Sequence, residues 1–218
     1  MKAVDDKTYR NEGNPAVLRC VPESARTILD VGCGAGDNAR RLGRNGRAVD
    51  GVTLSVAERE EAMKHCRNVV IHDLEKGLPA ELAGPYDCVI CSHVLEHICW
   101  PEKLLRDIRE RLAPDGRLVV ALPNVMFYKN RWNLLAGRFD YQDSGLMDNT
   151  HFRWYTFRSA GVMLTANGFE ILHAEAEGSF PIPAVRKFLP GGLIRWIDAR
   201  ASAVFPGLFG YQLVYCAR

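Results

Sequence analysis

The chain alternates short apolar runs rich in Val and Ile with stretches whose apolar residues recur every three to four positions. The first pattern predicts buried strands and the second predicts helices between them. Strands are expected at 27–31, 48–53, 69–72, 88–92, 117–122, 169–175 and 211–216, with helices near 35–44, 55–65, 101–112 and 158–167. Leu104, Leu105, Ile108 and Leu112 share one helical face, and Pro114 and Gly116 mark the end of that helix. Ala166-Asn167-Gly168 ends another, with Gly168 suited to a left-handed cap. This order predicts a doubly wound α/β fold, a mostly parallel seven-stranded sheet with helices on both faces.

Composition narrows the class. With 218 residues, 47% hydrophobic and 25% charged, and no repeat or low-complexity linker, a single domain is expected. The formal charge of +2 balances 28 basic against 26 acidic side chains, which argues against a nucleic-acid partner. Residues 1–10 are polar, and no apolar run reaches the ~18 residues a membrane helix needs, so a cytoplasmic location is expected. Seven cysteines, with Cys33, Cys88 and Cys91 in strand-like segments, suit buried reduced thiols. Cys88 and Cys91 are three apart in a strand and face opposite ways, and no second Cys/His pair has zinc-ligand spacing. No metal site is expected.

The chemistry starts at Ile28-Leu29-Asp30-Val31-Gly32-Cys33-Gly34-Ala35-Gly36, a buried strand running into a glycine loop. Glycines let backbone approach a ligand closely, and the G-x-G-x-G spacing differs from the G-x-G-x-x-G of dinucleotide binders. A ligand without a pyrophosphate therefore fits better. The D-V-G-C-G-A-G string at 30–36 resembles the first motif of the class I S-adenosylmethionine-dependent methyltransferase family, and the resemblance covers most of the chain. It implies a Rossmann-like methyltransferase fold, S-adenosylmethionine as cofactor and S-adenosylhomocysteine as product. Gly32, Cys33, Gly34 and Gly36 would lie against the methionine moiety, and Asp30 would orient the loop or the cofactor's amino group.

Later strand ends extend the resemblance. The family usually carries an acid where this chain has Thr53, followed by Leu54, to accept the ribose hydroxyls. A single hydroxyl makes fewer charge-assisted bonds, so weaker cofactor binding is expected. Asp50 lies three residues back, on the opposite strand face. Asp73 matches the position that reads the adenine amino group, with the Leu74 amide meeting the ring; capping a turn is its structural alternative. Ser92 and His93 are expected at the sulfonium end, before a Val94-Leu95-Glu96-His97 string found in many family members. Glu96 and His97 read as packed structural residues rather than a catalytic pair.

Residues 125–155 lack clean periodicity and are dense in aromatic and basic side chains, which predicts a substrate lid or a self-packed insertion. Asn124, Tyr128, Trp132 and Arg153 are the candidate substrate contacts, with Lys129, Arg131 and Arg138 available to an anion. A hydroxyl acceptor needs positioning and a base; His151 is the candidate base and Asp148 its orienting partner. The Asp148-Asn149-Thr150-His151-Phe152-Arg153 string resembles family members associated with glycan and lipopolysaccharide biosynthesis, which implies a small-molecule or glycan substrate. An amine or carboxylate acceptor, and a cofactor-binding module without catalysis, remain as rivals. In a second insertion, 180–209, Leu193, Ile194, Ile197, Ala201 and Val204 recur at helical spacing. That stripe is either core or, with Arg186, Lys187, Trp196 and Phe205, a helix for peripheral membrane contact.

Overall fold

The computed structural model describes residues 12–43, 46–182 and 186–218. Its sheet has seven strands: β1 (Thr27–Val31), β2 (Ala48–Thr53), β3 (Asn68–Ile71), β4 (Tyr86–Ser92), β5 (Leu112–Pro123), β6 (Ile171–Gly178) and β7 (Gly210–Ala217). They lie in the order β3-β2-β1-β4-β5-β7-β6, and β7 runs antiparallel to both β5 and β6. The remaining pairings are parallel, so the carboxyl ends of β1 to β5 share one edge. In open α/β sheets that edge is where ligands bind.

Period-two alternation divides the core between the two faces. Leu29, Val31, Val89, Cys91, Leu118 and Val120 pack on one side with Leu104, Leu105 and Ile108 of α4 (Pro101–Arg111) and Ala160 and Leu164 of α6 (Phe157–Ala166). Ile28, Cys88, Ile90, Val119 and Ala121 point the other way. They meet Ala16 and Val17 of α1 (Pro15–Cys20), Ala39 and Leu42 of α2 (Asp37–Leu42), and Ala62 of α3 (Val56–Ala62). All seven cysteines are free thiols.

Several boundaries differ from the sequence expectation. The predicted 101–112 helix stops at Arg111 and β5 begins at once, but only Leu112 pairs before the ladder resumes at Arg117, so Pro114 and Gly116 lie in an unpaired bulge ahead of the predicted 117–122 stretch. A register shift between Tyr86 and Cys88 accommodates that irregular start. β3 ends at Ile71, one residue early, and β6 starts two residues late at Ile171. The 55–65 helix starts at Val56 because Ser55 caps it, its hydroxyl accepting from the Glu58 amide, and it ends early, at Ala62; Thr156 with Ser159 caps α6. The 35–44 helix is seen as α2, with Arg44 outside the described residues, as is the polar 1–10 segment. Six-residue α1 went unpredicted because it is too short to show a period.

Two insertions cover the sheet's β5–β7 side. The 125–155 stretch holds α5 (Tyr128–Leu135), and the second holds α7 (Gly191–Val204) and α8 (Pro206–Phe209). In α7 the inward face is Ile194, Ile197, Asp198, Ala201 and Ser202, and Asp198 is tied to Arg186. Leu193 and Val204, expected on that stripe, are exposed instead, as are Trp196 and Phe205. Among the described residues, no helix is long and apolar enough to cross a membrane.

Candidate active site

The glycine loop follows β1 without a break. Gly32 and Gly36 have φ of 72° and 82°, values that L side chains rarely adopt. A Cβ on Gly32 would stand 2.5 Å from Val94, and one on Gly36 would stand 2.9 Å from the Ala62 Cα. These glycines are therefore required by close packing as well as by any ligand. Gly34 also has positive φ, and Cys33 tucks inward against Gly51, where a Cβ would meet its sulfur at 2.6 Å.

Asp30 is buried, and neither oxygen has a hydrogen-bond partner among the described residues. Burial pushes its carboxyl up to about 7, against a smaller opposing pull from Asn38. An orphaned buried carboxylate is costly unless something cationic or hydrogen-bonding meets it. Beside bare glycine backbone, it fits the amino group of an amino-acid ligand such as the methionine end of S-adenosylmethionine.

The β2 end supplies what position 53 lacks. Thr53 donates its hydroxyl to the carboxylate of Glu58, on the first turn of α3, and accepts from the Ser55 amide at 3.3 Å. Both Thr53 and Glu58 are buried. The acid expected at the strand terminus thus stands five residues later, a position the Ser55-Val56-Ala57-Glu58 spacing could have revealed, since it turns Glu58 back toward the strand. Asp50 faces away as expected, bound by Arg67 (2.9 Å) and by the Tyr86 hydroxyl (2.9 Å). Asp73 caps the turn Leu74–Lys76, one oxygen accepting from the Glu75 amide at 3.1 Å; Leu54 is exposed and Leu74 buried.

At the β4 end His93 adopts φ of 56°, a strained value for a non-glycine residue that turns its ring into the cleft. Its Nδ1 meets Glu96 Oε1 at 3.2 Å and its Nε2 meets Gln212 Oε1 at 2.7 Å. Burial disfavours the imidazolium, but Glu96 and Gln212 outweigh it and raise the ring's proton affinity. Asn14 closes the network, donating to Ser92 Oγ (3.1 Å) and to Gln212 Oε1 (2.9 Å). Asn14 and Gln212 lie 198 residues apart, and sequence reasoning missed both.

The predicted acceptor residues separate into two groups. Asn124 is fully buried and its amide is spent on the carbonyls of Gly207 (3.2 Å) and Gly210 (2.7 Å), so it holds α8 in place and offers nothing to a substrate. Arg153 donates to the Cys99 carbonyl at 2.7 Å, pairs with Glu102 at 3.8 Å and lies over the Trp100 ring, a structural clamp on the outer face. Arg131 likewise spends its guanidinium on the carbonyls of Met126 and Gly207. Tyr128 and Trp132 do line a common hollow with Leu208, but His151 is not among its walls. Lys129 lines that hollow too and, with Arg138, Asn130, Gln142 and Tyr211, a neighbouring cavity of about 500 Å³.

His151 is part-buried in an aromatic setting, its ring 4.7 Å from His97 and 5.4 Å from Trp154 between centroids. Its Nδ1 is buried without a partner, and burial lowers its proton affinity. Asp148 does not bond to that ring. Its Oδ1 accepts from the Thr150 amide (2.8 Å) and hydroxyl (2.6 Å), building the turn that presents His151. Burial opposes the Asp148 charge, but those bonds hold its carboxyl below the usual range.

Comparison with known proteins agrees with this geometry. Residues 7–174 match the family model described as a methyltransferase domain. The ubiquinone biosynthesis O-methyltransferase of Schizosaccharomyces pombe, a mitochondrial protein, is 35% identical over 106 residues, spanning 45% of this chain and 38% of the relative. That of Histophilus somni is 26% identical over 152 residues, 63% of each chain. The chain thus spans between about a third and two thirds of these two relatives' length. A SAM-dependent methyltransferase from Archaeoglobus fulgidus superposes with a TM-score of 0.64 at 21% identity, covering 93% of this chain and 91% of that one. The [4+2]-cyclase SpnF shares the fold too, at TM-score 0.62 and 20% identity over 99% of this chain and 87% of its own.

Proposed function

Because the chain belongs to the methyltransferase domain family, we propose that it transfers the methyl group of S-adenosylmethionine to a hydroxyl on a sugar or another small polar metabolite, releasing S-adenosylhomocysteine. The observation that carries this reading is the buried, unpartnered carboxylate of Asp30 beside the glycine loop. Asp30 and the loop would hold the amino-acid end, Thr53 with Glu58 the ribose and Asp73 the adenine. The cofactor supplies an electrophilic methyl on a positively charged sulfur, so the chain's task is to position the acceptor and remove its proton.

Hydroxyl chemistry is supported by the O-methyltransferase names of the relatives and by His151. Its lowered proton affinity keeps it neutral at pH 7, with a lone pair available to the hydroxyl proton. The 500 Å³ cavity sets Lys129, Arg138, Asn130 and Gln142 among apolar walls such as Phe127, Phe139 and Met147, a mixed lining that suits a small acceptor with both polar and apolar faces, although His151 is not among its walls.

The test is His151→Ala. We expect kcat to fall about 100-fold or more while S-adenosylhomocysteine affinity stays within about twofold. In the native enzyme kcat should hold below pH 6.5 and decline only as pH falls through the lowered His151 value. Unchanged turnover would remove His151 from the mechanism and favour an amine or carboxylate acceptor. No cofactor binding at millimolar concentration would sink the enzyme reading. The cyclase on the same fold makes that measurement necessary, because fold alone does not choose a reaction.

A further inference from the structure

Three ligand-capable side chains converge where the turn after β4 meets the lid. Glu96, His97 and His151 each offer one atom, and these atoms all lie within 4.8 Å of one another. Atoms bonded to one ion at roughly 2.0–2.2 Å stand about 3–4 Å apart, so closure on an ion requires sub-ångström adjustment. Two residues of the cluster also carry an atom with no other partner among the described residues: Glu96 Oε2 and His151 Nδ1 are both buried without a hydrogen bond, and Glu96 is 0% exposed.

Glu96 and His97 are also held from outside as metal ligands usually are. Glu96 Oε1 meets His93 Nδ1 at 3.2 Å. His97 Nδ1 lies 3.2 Å from the Thr150 carbonyl, which sets its proton on Nδ1 and leaves Nε2 with the lone pair. Such outer partners fix tautomer and ring orientation. The backbone already joins the two segments, since the Glu96 carbonyl accepts from the Phe152 (2.9 Å) and Arg153 (3.1 Å) amides.

We propose that Glu96, His97 and His151 bind a divalent first-row transition-metal ion of the zinc class, clamping the lid segment to the end of β4. Two imidazoles and one carboxylate suit zinc, and three protein ligands leave a further coordination position open. With the ion bound, His151 serves as a ligand in place of its role as proton acceptor. The site is argued from donor geometry and does not depend on methyl transfer.

Chelator-stripped full-length protein, titrated with zinc chloride by calorimetry, tests it. We expect one zinc per chain with a dissociation constant of about 1 μM or tighter, weakened about 100-fold in His151→Asn and in Glu96→Gln. His173→Asn and Cys99→Ser, at histidine and thiol positions outside the cluster, should bind as the native protein does. Retained S-adenosylhomocysteine binding checks that each variant is folded. Should Glu96→Gln fail that check, His97→Asn, at a part-exposed ring, carries the same expectation. Native binding weaker than about 1 mM, or unchanged binding in folded His151→Asn, would mean an adventitious ion only and overturn the site. Zinc binding together with no methyl transfer by the chelator-stripped protein would instead defeat the functional reading alone.

Discussion

The proposed cofactor side and the proposed acceptor side of this cleft are assembled on opposite plans. On the cofactor side, Asp30, Thr53, Asp73 and Ser92 stand at or just beyond the carboxyl ends of four parallel strands, each presented by the strand that carries it. On the acceptor side, Glu96, His151 and Gln212 come from a turn, a lid and the last strand, and meet only through contacts across 50 residues or more. A strand end places a residue by local geometry, whereas a lid places it by packing of distant parts. The first side should consequently lose ligand affinity when mutated, and the second should lose turnover or order.

The sharpest test of that contrast is Asp30→Asn. The folded carboxyl titrates at about 7, above its usual 3.8, because burial penalises the charge. Stability linked to it is fully present below pH 3.8, where both states are protonated, and is lost as pH rises through about 7. Asn removes that penalty. The ligand-free variant should therefore be more stable than the native protein at pH 8, on the order of 2–4 kcal/mol, and not at pH 4. Its affinity for S-adenosylhomocysteine should fall about 100-fold, while 5′-methylthioadenosine, which lacks the amino acid, binds unchanged. Thermal melts at the two pH values and calorimetry with the two ligands check this; equal losses for both ligands would place Asp30 elsewhere in the site.

Glu58→Gln sets the next expected effect, about tenfold weaker binding of S-adenosylhomocysteine. Here 5′-methylthioadenosine should weaken by the same factor, because both ligands carry the ribose. If affinity is unchanged, the Thr53–Glu58 pair serves α3 alone. Arg153→Ala should have the smallest effect. Its pair with Glu102 is largely solvent-screened, so a melting-point drop of about 1–3 °C with unchanged KM is expected. A raised KM would return Arg153 to the substrate side.

How much of this was readable in advance follows the same division. The 27–31 and 48–53 strands appear at their predicted bounds because buried parallel strands are continuous apolar runs with sharp ends. Thr53 was singled out by residue type, but Glu58, which accepts its hydroxyl, was missed, because that contact depends on a helical turn folding back on the strand end. Asn124 and Arg153 looked like substrate contacts by residue type, yet each spends its hydrogen bonds on backbone carbonyls of neighbouring elements. Polar groups on irregular chain must satisfy such carbonyls somewhere, and sequence does not say where.

By itself the sequence determined the seven strands, their alternation with helices and the residues at the first strand ends. Those depend on apolar period and on short-range steric rules, which operate within a few residues. Strand order, the antiparallel β7 and the face each helix takes came from the structure. Only the tertiary structure decided that Asn14 reaches Gln212, that the Asp148 carboxylate builds a turn without bonding the His151 ring, and that Glu96, His97 and His151 converge. Each of these is set by how the lid and the last strand close over the sheet, a balance of many weak contacts that no local pattern encodes.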